Sequence, residues 1–266
     1  MFDKELTFAK QVAYEAGEIM KKYWRTAPDQ NAKADATIVT IADEEVNQMV
    51  IERVKEAFPD HAIIGEEASH GEVDKHAWVC DPIDGTQLFI SEIPFCVFSL
   101  AYVYDGEPKV GVVYDPFEDR LYYGQIGGGS FVNGKSLRVK TEMKPRETMG
   151  FDWWPSAKFD TLSVVKKLSR ERNAYFISPG SATHTAILVA EGAMVASIFP
   201  GTMPGNHDIA AAKVIVEEAG GKVTDMFGRA QRYDQPINGA IVSNGVVHEA
   251  IVSAVNSVEE VDGNEV

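Results

Sequence analysis

The apolar positions of the first sixty residues repeat at helical spacing. Leu6, Val12, Ala13, Ala16, Ile19, Met20 and Tyr23 fall on one face of a helix over residues 3–24. Val46, Met49, Val50, Ile51, Val54 and Ala57 do the same between Ala42 and Phe58, and Pro59 ends the pattern. Between them, NAKADATIVTIAD reads as a loop running into a short strand, Ile38–Thr40. The spacing then shortens to that of strands. HAIIGEE is a brief buried strand that arrives at acidic residues, and HAWVCDPID repeats the design. Runs rich in Val, Tyr and Phe follow, joined at Asp105-Gly106 and Asn133-Gly134, residue pairs that predict tight hairpins because they tolerate positive φ.

After about residue 141 short strands (Ala174–Ile177, Val195–Phe199, Lys222–Thr224, Ala240–Ser243) alternate with helical patterns at 158–169, 180–191, 207–219 and 245–255. That alternation predicts an α/β arrangement. The expected organisation is an α+β lobe over 1–141, an α/β lobe over 142–256 with a cleft between the two, and a frayed acidic tail at 257–266. There is no internal repeat and no low-complexity linker.

Charge narrows the chemistry. The 266 residues carry 25 Lys+Arg against 40 Asp+Glu, a net charge of −15, so a nucleic-acid polymer would be repelled. A small anionic substrate would be repelled as well unless bound cations reverse the local sign. The N-terminal segment has charges every few residues and fits neither a signal peptide nor a membrane span. Cys80 and Cys96 read as reduced thiols of a cytoplasmic protein.

Four acidic residues each close an apolar run: Glu66, Asp81, Asp84 and Asp208. A single Asp in such a place reads first as a helix cap or turn former. Four of them are different, since buried unpaired carboxylates must be protonated, paired or bound to metal. Basic residues near them in sequence are few: Lys33, Lys75 and Lys213. Hard oxygen ligands in this number suit Mg²⁺. Two such ions would cancel the four charges, and a third would leave the site positive for a phosphate. Within DPIDGT, Pro82 stiffens the turn and pushes Asp81 towards an extended backbone. The Ile83 carbonyl is a further available oxygen, Gly85 permits close backbone approach, and TQLFISEI opens a short helix whose first N–H groups face an anion.

These residues carry a resemblance to the inositol monophosphatase-like phosphatases, lithium-sensitive Mg²⁺-dependent phosphomonoesterases with relatives acting on fructose bisphosphate, histidinol phosphate and adenosine bisphosphate. It extends over roughly residues 5–255. Its central motif, D-P-[IL]-D-G-T, stands here as Asp81–Thr86; GEE at 65–67 matches the upstream ligand segment, DATIVTIAD the segment with Thr40 and Asp43, and GNHDIAAAKVIVEEAGG the downstream motif with Asp208. SPGSATHTA resembles the substrate loop, with Gly180, Ser181 and Ala182 in its small-residue positions. The resemblance implies a layered αβαβα sandwich of the inositol monophosphatase / fructose-1,6-bisphosphatase type, as a homodimer. It implies one Mg²⁺ on Glu66, Asp81 and the Ile83 carbonyl, a second on Asp81, Asp84 and Asp208, and two or three ions in all. It further implies a metal-activated water oriented by Glu66 and Thr86, with Thr40 and Asp43 nearby, and substrate contacts from Asp84, Gly85, Thr86, Gly180, Ser181, Ala182 and Asp208. The expected activity is hydrolysis of a small phosphate monoester. Histidinol phosphate, 3′(2′),5′-bisphosphate nucleotides and fructose 1,6-bisphosphate are alternative substrates. The non-enzyme alternative is a metal- or anion-binding regulatory relative.

Two departures stand out. The family carries Trp immediately before the downstream Asp, where this chain has His207, in a packing or hydrogen-bonding role or else near the metal or phosphate. Members selective for inositol phosphate carry a Glu some seven residues upstream, where this chain has Pro200 or Gly201 in a loop one residue longer. Other features have plainer readings: GQIGGGSFVNG as a turn and hairpin, Ser181 with His184, three apart on one helix pattern, as structure or a substrate contact and not a nucleophilic pair, Cys80 as a core thiol, and His61, His70, His76 and His248 as surface residues. Trp153-Trp154 fits a cleft lining or a subunit contact.

Overall fold

Helices with one apolar stripe end on the outside of this fold, and helices apolar all round end between its two sheets. The computed structural model describes residues 2–26, 30–32, 38–155, 157–201 and 205–262. Lys33 and loop residues 202–204 lie outside the described residues.

The first outer layer is α1 (Asp3–Tyr23) with α2 (Ile41–Ala57). Helix α1 buries Ala9, Val12, Ala13, Ala16 and Met20, as its periodicity predicts, with acidic residues in its first turn and Lys21 and Lys22 in its last, matching the helix dipole. Strands β1 (Gln30–Ala32) and β2 (Ile38–Thr40) form a small antiparallel ribbon between them. Helix α2 opens with a capping box in which Thr40 and Asp43 exchange hydrogen bonds.

Seven strands form the first sheet: β3 (Ala62–Gly65), β4 (His76–Asp84), β5 (Val97–Tyr104), β6 (Glu107–Asp115), β7 (Arg120–Gln125), β8 (Gly129–Val132) and β9 (Lys135–Ser136), in that order across the sheet. Only β3–β4 is parallel; the rest is a meander. The two predicted hairpins are present, with positive φ at Asp105, Gly106, Asn133 and Gly134. The short helix α3 (Thr86–Ile90) follows β4. Trp78, Cys80, Phe98 and Leu100 face α1 and α2, whereas Ala77, Val79, Val97 and Ala101 face the other way, the alternation a doubly covered sheet requires.

The second sheet holds β10 (Thr148–Phe151), β11 (Tyr175–Ile177), β12 (Ala196–Phe199), β13 (Lys222–Thr224) and β14 (Ala240–Ser243) in the order β11-β10-β12-β14-β13. It is mixed: β10 runs parallel to β11 and β12, and β14 runs antiparallel to β12 and β13. Between the sheets lie α5 (Ala182–Ala190) and α6 (Asn206–Glu218), both buried on nearly every side. Outside the second sheet lie α4 (Thr161–Arg172) and α7 (His248–Asp262), packed through Val164, Leu168, Ile251 and Val255. The layering is therefore αβαβα, as expected.

Three sequence readings change. Strand β10 was not foreseen, because four residues around Gly150 are too short for a period to show. Helix α7 continues through Ser257 to Asp262, into the segment read as a frayed tail. His248 is fully buried, with its two ring nitrogens on the hydroxyls of Thr224 (2.9 Å) and Ser243 (2.8 Å), and burial lowers its pKa to about 4. His61 and His76 are half-buried and stack at 4.6 Å beside Tyr102; only His70 is exposed.

At Gly111 the middle layer meets the first sheet main chain on main chain. A Cβ added at Gly111 of β6 would lie 3.0 Å from the Ala211 Cα and nearer still to its carbonyl. Backbone there has no rotamer with which to yield. Gly111→Val is expected to lower stability by about 1–3 kcal/mol or more, read from urea denaturation midpoints; an unchanged midpoint would show that α6 is not clamped against β6.

Candidate active site

Strand β4 carries its acidic residues into the middle of the protein because it is covered on both faces, and Asp81 and Asp84 are both buried. Pairing with β5 is regular up to Asp81↔Ser99 and resumes at Asp84↔Val97 after a register shift. Such bulges re-aim side chains. Here the shift falls at Pro82-Ile83, and the Ile83 N–H donates back to Asp81 Oδ1 at 3.1 Å. Gly85 then turns the chain at φ +96, a left-handed conformation that favours glycine, and α3 begins. Glu66 reaches the same place from the parallel neighbour: Gly65 is in register with Cys80, and the Glu66 N–H donates to the Cys80 carbonyl.

Asp208 arrives from the first turn of α6. Ligand atoms of Asp81, Asp84 and Asp208 lie within 4.8 Å of one another, and those of Glu66, Asp81 and His207 form a second such set. The two sets share Asp81. Its pKa is pushed well up, first by burial and then by Glu66, Asp84, Asp208 and Asp43. Every one of those neighbours is an acid, so a cation is the natural complement to the cluster.

Asp84 is handled differently. Its Oδ2 accepts the Ser181 hydroxyl (2.5 Å) and the N–H groups of Thr183 (2.7 Å) and His184 (3.3 Å), while Oδ1 accepts the Ala182 N–H (3.2 Å). The carboxylate thus sits on the N-terminus of α5, where helix donors and dipole favour negative charge. Burial still raises its pKa, with those hydrogen bonds opposing. The loop Gly180-Ser181-Ala182 is therefore directly beside Asp84 and Gly85: a Cβ at Gly85 would lie 3.3 Å from that of Ser181. Gly180 has φ +93.

A third group extends from Thr86. Its hydroxyl lies 3.1 Å from both Asp43 Oδ1 and the Ile83 carbonyl. The other Asp43 oxygen accepts the Thr40 hydroxyl (2.5 Å) and N–H (2.8 Å). Thr40 and Asp43 are thus a helix cap and, through one oxygen, part of the site; Thr40 positions Asp43 and not the cluster itself. Burial raises Asp43 to about 6.

The nucleophilic-pair alternative is closed. Ser181 caps α5 and binds Asp84, and His184 stacks on Phe95 at 4.0 Å, held neutral by burial with its pKa lowered to about 4. The glycine-rich stretch also has its own partner: the Gly127 and Gly129 N–H groups donate to the Glu218 carboxylate at 2.8 and 2.7 Å. Cys80 and Cys96 are buried free thiols, raised by burial. Trp153 is exposed, and Trp154 packs on Phe199.

One acid was missed. Asp152 follows directly on β10, is buried, and leaves Oδ2 without a hydrogen-bond partner. Burial, then Asp84 and Asp208, raise its pKa to about 8. The signal was present in TMGFD, an apolar run closed by an acid, but it required the strand to be recognised.

The family model described as the inositol monophosphatase family matches residues 2–260. The chain belongs to that family. A Thermotoga maritima protein described as fructose-1,6-bisphosphatase/inositol-1-monophosphatase is 33% identical over 261 residues, covering 97% of this chain and 98% of that one. Rat inositol monophosphatase 1 is 34% identical, with 84% of each chain covered. Among solved structures, a Thermotoga maritima IMPase superposes with a TM-score of 0.86 at 30% identity, over 97% of this chain and 98% of that one. This inositol monophosphatase family member is accordingly a phosphatase of small phosphorylated substrates, with the family's fold. Among the described residues no helix is long and apolar enough to cross a membrane.

Asp152 makes stability depend on pH in a defined direction. Its folded pKa of about 8 lies above the ordinary carboxyl value of 3.8, so the folded protein holds a proton that the unfolded chain has released. That contribution is complete below pH 4 and is lost as pH rises towards 8, at up to about 1.4 kcal/mol per unit. In EDTA, the melting temperature of wild type is expected to fall more between pH 5 and 8 than that of Asp152→Asn. Parallel curves would show that Asp152 is ionised throughout.

Proposed function

We propose that this phosphatase is a Mg²⁺-dependent phosphomonoesterase that hydrolyses a small phosphate monoester of the inositol phosphate type, with Glu66, Asp81, the Ile83 carbonyl, Asp84 and Asp208 as its oxygen ligands. The observation that carries the reading is the pair of overlapping ligand sets sharing buried Asp81. Four carboxylates and a carbonyl are hard oxygens that fit the ion, in a cluster whose charges burial leaves unscreened, and one set also includes a ring nitrogen of His207. Bound there as two or three ions, Mg²⁺ would supply Lewis-acid stabilisation of charge at the phosphoryl group and lower the pKa of water.

The chain's own residues do the rest. Glu66 and the Thr86 hydroxyl orient the attacking water. Thr86 has one proton to donate, to Asp43 Oδ1 or to the Ile83 carbonyl, which leaves lone pairs on its oxygen to accept from that water. Asp43, already raised to about 6 by burial, is placed to take a proton delivered through Thr86. Asp84 ties the α5 terminus to the cluster, so that Gly180, Ser181 and Ala182, with Gly85, form the wall against which the substrate sits. A cytoplasmic location and a homodimer belong to the same proposal; the free buried thiols support the former.

Fructose 1,6-bisphosphate is the second substrate to test. The loop before α6 has Pro200 and Gly201 where selectivity for inositol phosphate needs an acceptor carboxylate, and the Thermotoga relative is described by both activities. The nucleotide alternative needs base-stacking or extra phosphate-binding residues, and of the candidates Arg170, Arg172 and Trp154, Arg172 is paired with Glu147 and Trp154 packs on Phe199.

Phosphate release from inositol 1-phosphate, fructose 1,6-bisphosphate, histidinol phosphate and adenosine 3′,5′-bisphosphate tests the reading. Mg²⁺-dependent release from one of the first two, abolished by EDTA and restored by Mg²⁺, is expected; none from any substrate would favour a non-catalytic relative. Asp84→Asn is expected to lower kcat at least about a hundredfold with the circular dichroism spectrum unchanged, and to cost about 1–3 kcal/mol as charge-assisted hydrogen bonds to α5 are lost. Wild-type turnover in that variant would remove Asp84 from the site.

A further inference from the structure

We propose that His207 donates an imidazole nitrogen to the cation held by Glu66 and Asp81, giving this site a stronger preference for Mn²⁺ over Mg²⁺ than oxygen ligands alone would give. The inference rests on the reading of the acidic cluster as a divalent-cation site.

The geometry comes first. His207 offers a ring nitrogen that lies within 4.8 Å of carboxylate oxygens of both Glu66 and Asp81, and it is the one histidine among the described residues that falls in such a set. It is 6% exposed and is the second residue of α6, so its ring has little freedom to leave. The helix under it is fixed by Ile209, Ala210 and Ala211, all buried in the central core. Its Nε2 lies 3.5 Å from Asp208 Oδ2, so the ring borders both ligand sets at once.

Donor chemistry supplies the direction of the effect. Carboxylate and carbonyl oxygens suit Mg²⁺ and Mn²⁺ alike, so they separate the two poorly; an imidazole nitrogen favours a first-row transition ion over Mg²⁺, and Mn²⁺, at the weak end of that series, is the one that the oxygen ligands also accept. One nitrogen in place of a water would raise Mn²⁺ affinity while leaving that for Mg²⁺ nearly unchanged. The tryptophan implied at this position by the family resemblance cannot do this, because indole has an N–H donor and no acceptor lone pair. Among relatives of otherwise similar ligand sets, this chain would therefore differ in which ion it holds.

Two measurements on the purified full-length chain test the proposal. Mn²⁺ and Mg²⁺ are titrated calorimetrically into wild type, His207→Trp, His207→Gln and, as a control on the cluster itself, Asp81→Asn. Mn²⁺-loaded wild type is also examined by electron spin-echo spectroscopy for coupling to a directly bound ¹⁴N nucleus. The expected result is ¹⁴N coupling in wild type and its loss in both His207 variants. The Mn²⁺-over-Mg²⁺ affinity ratio is expected to fall in both of those variants and to stay unchanged in neither. If wild type shows no ¹⁴N coupling, or the ratio is unchanged in both variants while Asp81→Asn weakens both ions, the cation site stands and His207 is not its ligand. If wild type binds neither ion, the underlying reading falls with the proposal. The spin-echo measurement on wild type decides the question even where a variant fails to fold.

Discussion

Repulsion between carboxylates that burial withholds from water governs the end of β4. Charges a few ångströms apart interact far more strongly inside a protein than in solvent, and here Asp81 feels Glu66, Asp84, Asp208 and Asp43 together. Three of the acids gathered here are accommodated by different devices. Asp43 is embraced by Thr40 and Thr86, Asp84 by the α5 terminus, and Asp152 by holding its proton. For Asp81 the fold provides the Ile83 N–H and otherwise surrounds it with negative charge. The fold brings five acids, Glu66, Asp81, Asp84, Asp43 and Asp208, to one place from the end of β3, from β4, α2 and α6, a charge that a cation would complement.

How much of this could be read from the chain follows from the range of the forces involved. The outer helices, the hairpins at Asp105-Gly106 and Asn133-Gly134, and the acids closing apolar runs are local patterns, so they were visible. The DPIDGT motif and its companions carried the family resemblance, and with it the layering. What was not visible depends on pairing between distant segments. The mixed direction of the second sheet comes from β14 inserting between β12 and β13, which no local spacing encodes. The burial of His248 depends on hydroxyls from β13 and β14 meeting its ring. Strand β10 escaped notice for its brevity, and Asp152 with it.

Reading an acidic residue as either a structural cap or a site residue proved too sharp a choice. Asp43 is both, with one oxygen spent on the Thr40 cap and the other on Thr86. Asp84 is a cap supplied from another element, since the donors it satisfies belong to α5, about a hundred residues away in sequence. Capping is what makes such a carboxylate rigid. A side chain whose rotamer is fixed by main-chain donors holds its remaining lone pairs at fixed positions. The bland reading of these residues is thus the means by which the chemical one is possible.

Helix α6 has a small-residue run, Ala210-Ala211-Ala212, just after Asp208, and it lies against one sheet on each side. At its far end Glu218 grips the Gly127–Gly129 turn. The helix behaves as a wedge driven between two plates and pinned at its butt, with the acid at its tip. Methyl groups fill the gap on both sides, so any drift in this run towards bulkier side chains would press on both plates and shift the tip relative to the cluster. Evolution of the middle layer is thereby tied to the chemistry at its edge, although none of those alanines touches it.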